Sequence, residues 1–122
     1  MKQGKIIQAM KALNTLAAQA LPIKTACAIH RMRVALRPAW EFQQEEEEKL
    51  LSRLHPMLNS NGSLDFKTPK DAQEFREKLK ELADMEADGI AIQPINVATM
   101  EGIKLSANDI EALDGFVSFT EE

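Results

Sequence analysis

The chain of 122 residues has no tyrosine, one tryptophan and one cysteine, and its five glycines stand isolated at positions 4, 62, 89, 102 and 115. A lone Cys27 excludes an internal disulfide and a thiolate-rich zinc site, and suits a reducing, cytosolic setting. Scattered glycines exclude a glycine-rich phosphate loop. With so few aromatics, the core has to be built from Leu, Ile, Ala, Val and Met, a set that favours helices. Long apolar runs are missing as well. The stretch after Met1 is interrupted by Gln8, Lys11 and Asn14, so neither a membrane span nor a secretory signal is expected.

A further absence concerns charge. The first forty residues contain no Asp or Glu, yet they carry Lys2, Lys5, Lys11, Lys24, Arg31, Arg33 and Arg37. All nineteen carboxylates follow, starting with Glu41 and the run Glu45 to Glu48. The net charge of -4 thus divides into +7 for the first forty residues and -11 for the rest, which hold the other eight cations. Such asymmetry points to an electrostatic partner, and a second copy of the same chain is one.

Apolar positions Ile6, Met10, Leu13, Ala17 and Ala20 recur at helical spacing, with Ile7 and Leu16 widening the stripe, and predict a first helix from Lys5 to Ala20. Pro22 interrupts it, and the short connector implies an antiparallel helical hairpin. A long second helix is expected from Pro22 or Ile23 to Leu58, with a kink or short break at Pro38 dividing its basic half from its acidic half. His55-Pro56 and the polar run from Asn59 to Ser63 close it. Thr68-Pro69-Lys70-Asp71 opens a third helix, with an N-cap, a proline at the first position and a carboxylate near the positive end of the dipole; Gly89 is its expected stop. Short strands are expected at Ile90 to Ile92 and Ile95 to Val97, bent at Pro94, with further candidates at Ile103 to Leu105 and Leu64 to Phe66. Ser106 caps a last helical turn or two, Ala107 to Leu113, before an apolar tail at Phe116, Val117 and Phe119. The expected class is mainly α with a small C-terminal β element (α+β). Residues 1–60 are expected to form the hairpin, a candidate oligomerisation arm, and residues 61–122 a small α+β part packed on it.

On a helical projection at about 100° per residue, His30, Arg33 and Arg37 share one narrow face. Ile23, Cys27 and Val34 flank it on one side, and Ile29, Leu36 and Trp40 on the other; Lys24 and Arg31 lie further round. Two apolar sectors imply cover by other helices or subunits, and arginines held between them need carboxylates, phosphates or carbonyls as partners. Lys24, His30, Arg31, Arg33 and Arg37 are therefore the candidate ligand-binding residues for an anionic small molecule or an acidic protein surface. The competing reading lets the arginines reach solvent past their stems, or pair with the Glu41 to Glu48 block of a neighbouring chain in a homo-oligomer. Nucleic acid is disfavoured by the acidic overall charge and the few stacking aromatics. Consecutive glutamates point in different directions along a helix and make a poor cation site.

Cys27 and His30 lie one turn apart, but a nucleophilic cysteine also needs an oxyanion hole and an orienting group, and the sequence displays neither. His30 and His55 would have to meet from opposite halves of the second helix to share a metal. A non-enzymatic protein without cofactor is the expectation.

The segment Leu21-Pro22-Ile23-Lys24-Thr25-Ala26, the basic helix and glutamate-rich stretch after it, and the late elements Ile92-Gln93-Pro94-Ile95 and Leu105-Ser106-Ala107-Asn108-Asp109-Ile110 resemble small bacteriophage-encoded proteins of uncharacterised function. Cys27 stands where that pattern often has an aromatic. The resemblance implies a phage accessory protein in the host cytoplasm. It would act by binding in a counter-defence role, sequestering a nucleotide-like anion or blocking a host protein, with virion assembly as the alternative.

Overall fold

Helix α1 (Gln3–Ala17) and helix α2 (Ile23–Leu54) pack side by side and run in opposite directions, joined by residues 18–22. The computed structural model describes residues 1–87, 89–98 and 102–120. The chain is mainly helical, as its composition favours. Ile6, Ala9, Met10, Leu13 and Leu16 form the buried stripe of α1, and Ile29, Met32, Leu36 and Ala39 that of α2. Spacings of three and four residues bring each set onto one face.

Helix α1 begins two residues earlier than its apolar period suggests, because its first turn is held from outside. The Gln3 amide donates to the Met85 carbonyl at 2.8 Å, and Ala87 N–H to the Met1 carbonyl at 2.9 Å. The first occupies an N–H group that a helix start leaves unsatisfied, and the second ties residue 1 to the segment after α3.

The expected break at Pro38 is absent: α2 runs unbroken for 32 residues, about 48 Å at ~1.5 Å per residue. Pro38 is exposed, so the carbonyl it leaves unbonded, that of Val34, lies towards water where the loss is small. On the opposite side Leu36 and Ala39 are anchored in the core. The helix stops at Leu54, four residues short of Leu58, with His55 in the left-handed region at φ 47°. Met57 and Leu58, expected as its last turn, instead form β1 (Met57–Leu58), antiparallel to β2 (Leu64–Asp65). The turn between them is closed by Ser63 N–H donating to the side-chain oxygens of Asn59 and Asn61, each at 3.0 Å.

Helix α3 (Pro69–Asp84) opens as its sequence specifies, with Thr68 Oγ1 accepting from Asp71 N–H at 3.1 Å. It ends at Asp84 rather than at Gly89, since Met85 turns extended to reach α1. Leu82 is its one fully buried side chain.

Strand β3 (Ile95–Ala98) pairs in parallel with β4 (Val117–Thr120), in the register Ile95 to Val117 and Val97 to Phe119. Two expectations are corrected here. Ile90 to Ile92 and Ile103 to Leu105 make no strand; their apolar side chains pack on the core while the ladder partner of β3 is the C-terminal tail. Between β3 and β4 lies α4 (Ala107–Ala112), held by a reciprocal capping box between Ser106 and Asp109. Leu113, Phe116 and Val117 after it join Val97 and the α1–α2 stripe in one cluster, so the hairpin and the C-terminal elements share a core.

Candidate functional site

Because α2 turns Ile29, Met32, Leu36, Ala39, Gln43, Leu50 and Leu54 inward along its whole length, its opposite side faces solvent from end to end. The basic residues lie towards that side. Lys24, His30, Arg31 and Arg37 are exposed and Arg33 is half-buried. Among the described residues none of the five forms an ion pair.

The two apolar flanks of the stripe differ from expectation. Ile29 and Leu36 are buried against α1 and Trp40 is half-buried, but Ile23 is 82% exposed, Cys27 is exposed and Val34 is 44% exposed. Only one sector is covered. The arginines are therefore not trapped between packed surfaces, and no buried charge demands a counter-ion.

A groove beside the stripe takes in only one of them. A groove of about 430 Å³ lies between α2 and residues 91–95, where Ala28 and Ala35 are too small to fill the space beside Met32, Ile92 and Pro94. Arg31 alone of the five lines it. His30 and Arg37 are exposed on the helix, outside this groove.

The acidic half of α2 has its own set of charges. A groove of about 500 Å³ against α3 is lined by Glu46, Lys49, Arg53, Glu74, Glu77 and Lys78 among others. Lys49 pairs with Glu46 at 3.6 Å, and Arg53 donates to Glu74 across the two helices. That bond holds the Glu74 carboxyl below its ordinary range and raises the Arg53 guanidinium above its own; the charge of each partner adds to both shifts. Alternating signs make this seam a clasp between helices, not a receptor for one ion. Glu45 and Glu48 point elsewhere and form no ion pair among the described residues.

Cys27 and His30 are both exposed, and no hydrogen bond joins them. His30 and His55 lie about 37 Å apart along the continuous α2, at ~1.5 Å per residue, so they cannot share a metal ion. Among the described residues no three His, Cys, Asp or Glu side chains converge as metal ligands. No described helix is long and apolar enough to cross a membrane.

Sequence reasoning missed two residues of the exposed side. Phe42 is 39% exposed, and Lys49 stands on the same line of the helix, two turns further on. The signal was available: both fall on one projection line with Lys24, Arg31 and Val34, but the expected break at Pro38 divided that line in two.

Compared with known protein families, curated proteins and solved structures, the chain matches none. Functional inference therefore rests on the residues and their geometry.

Proposed function

We propose that the chain is a non-enzymatic binding protein that presents the basic half of α2 to an acidic protein surface. One observation carries this: Lys24, His30, Arg31 and Arg37 are exposed along one continuous helix and form no ion pair among the described residues, and of the four only Arg31 lines the groove beside residues 91–95. A small anion is held best by donors converging from several sides, whereas a protein surface can engage side chains spread along a rod. The geometry thus favours blocking a protein over sequestering a nucleotide. With the resemblance to phage proteins, the reading becomes a counter-defence or assembly role in the host cytoplasm, in which the charged helix sets what is bound and in which register.

Native mass spectrometry of the protein purified from expressing cells, beside an Arg31→Glu/Arg37→Glu variant, tests this reading. The expected result is a protein complex, free of bound small molecules, that is depleted in the variant while circular dichroism stays unchanged. A retained species of nucleotide mass that vanishes with the arginines would overturn it in favour of anion sequestration.

A further inference from the structure

The exposed side of α2 has an order that neither half reveals alone. Lys24, Cys27, Arg31, Val34, Pro38, Phe42, Glu45, Lys49 and Ser52 are all exposed. Steps of three and four residues place them along one line of the helix. The line is arranged about Pro38. Four residues before and after it stand the two large apolar side chains, Val34 and Phe42, exposed by 44% and 39%. Seven residues before and after stand a cation and an anion, Arg31 and Glu45.

We infer that α2 pairs with α2 of a second copy of this chain, antiparallel, about a two-fold axis through Pro38. This rests on the reading that the basic half of α2 engages an acidic surface, and it names that surface as the Glu41 to Glu48 half of the same helix. In an isologous contact each interaction occurs twice. Arg31 faces Glu45 of the second copy and Glu45 faces its Arg31, while Val34 packs on Phe42 and Phe42 on Val34. Lys24 lies against Ser52 and within a turn of Glu48. Cys27 lies opposite Lys49.

Charge decides the direction. A parallel pairing in register would set Arg31 against Arg31 and Glu45 against Glu45, whereas the antiparallel one sets the half of α2 that carries Lys24, Arg31, Arg33 and Arg37 against the glutamate run. The continuity of α2 through Pro38 is what makes the arrangement possible, since a break there would separate the two halves of the line. Proline suits the axis. It has no amide hydrogen to leave unpaired, and its compact ring lets two helices approach closely. With Val34 and Phe42 as the main apolar contacts, the dimer is weak and its affinity falls as salt screens the two charge pairs.

Sedimentation equilibrium on the purified full chain at low and high salt is the test, with Arg31→Glu, Glu45→Arg and the double variant. A dimer is expected, weakened about tenfold or more by either reversal alone and recovered in the double variant, where the pair is exchanged. Register is read separately. In Lys49→Cys, mild oxidation should join Cys27 to the new thiol at position 49 of the second copy and give a covalent dimer that a Cys27→Ser background lacks. A chain that stays monomeric at all concentrations overturns the inference, and leaves the basic face to be tested against acidic partners of other sequence. A dimer indifferent to both charge reversals overturns the inference and also removes the basic face as its contact.

Discussion

The side-chain amide of Gln3 donates to the Ala39 carbonyl at 2.7 Å, one residue beyond the proline of α2. It also reaches the side-chain oxygen of Gln43 at 3.5 Å, and both glutamines are buried. A polar tie thus fixes the start of α1 to the middle of α2 where the helix ladder lacks one bond. Gln3→Leu should cost about 1–3 kcal/mol, the penalty of leaving the Gln43 amide buried without its partner. The Gln3→Leu/Gln43→Leu double variant should lose less than Gln3→Leu alone, because the Gln43 amide is no longer left buried without its partner, while the Ala39 carbonyl loses the same donor in both. Urea denaturation of the four proteins in this cycle measures both effects.

Gly4 sets the distance between α1 and α3. A Cβ placed there would lie 2.9 Å from Ala83 Cβ and 3.2 Å from the Ala83 backbone. In an isolated helix Gly→Ala would stabilise by ~0.8–1 kcal/mol. Here steric overlap opposes that gain, and the Ala83 backbone among the neighbours cannot swing aside. Gly4→Ala should therefore lower stability by about 1–3 kcal/mol, the usual effect of overpacking. An unchanged or raised melting temperature would show that α3 yields freely.

The helices and their caps were legible because their signals are local. Thr68 and Ser106 act within three residues, and the stripes of α1 and α2 need only a period. The C-terminal sheet was not, because the choice of partner for β3 is made 22 residues away by a tail whose apolar residues read equally well as core filling. Met57 and Leu58 fit a helical stripe with Leu54, yet Pro56 disfavours helical geometry at His55, and that steric rule ended the helix. The basic stripe could be drawn from angles alone. Which of its flanks was covered could not, since that depends on α1 packing on one side of α2 only.

Ser106 and Asp109 test how far α4 depends on its cap. The helix is six residues long and has no fully buried side chain, and it rests on α1 mainly through Ala112 and the Leu113 that follows it. Ser106 Oγ accepts from Asp109 N–H at 3.1 Å, and the Asp109 carboxylate accepts from Ser106 N–H at 3.4 Å. Ser106→Ala should cost about 0.5–2 kcal/mol. The loss should appear as faster amide hydrogen exchange through α4 and at Leu113, whose amide bonds the Asp109 carbonyl at 3.1 Å. Thr68→Ala at α3 should cost a similar amount with exchange confined to the first turn of that helix.

Arg53 and Glu74 give the fold a pH-sensitive clasp. The hydrogen bond from Arg53, aided by its charge and that of Lys70, holds the Glu74 carboxyl below the ordinary glutamate range. Glu74 therefore binds its proton less readily in the folded chain than in the unfolded one. Whatever stability the pair contributes is fully present at pH values above the unfolded carboxyl range, and is lost as pH falls through the lowered folded value. Both side chains are largely solvent-exposed, so the effect is small and shrinks with added salt. Carboxyl carbon NMR across an acid titration should place the Glu74 midpoint below the ordinary range in the native chain and higher in Arg53→Ala. Melting curves of the two proteins should differ at neutral pH and converge in acid. Equal Glu74 midpoints in both would mean that the clasp does not persist in solution, and that α3 is held to α2 by apolar packing alone.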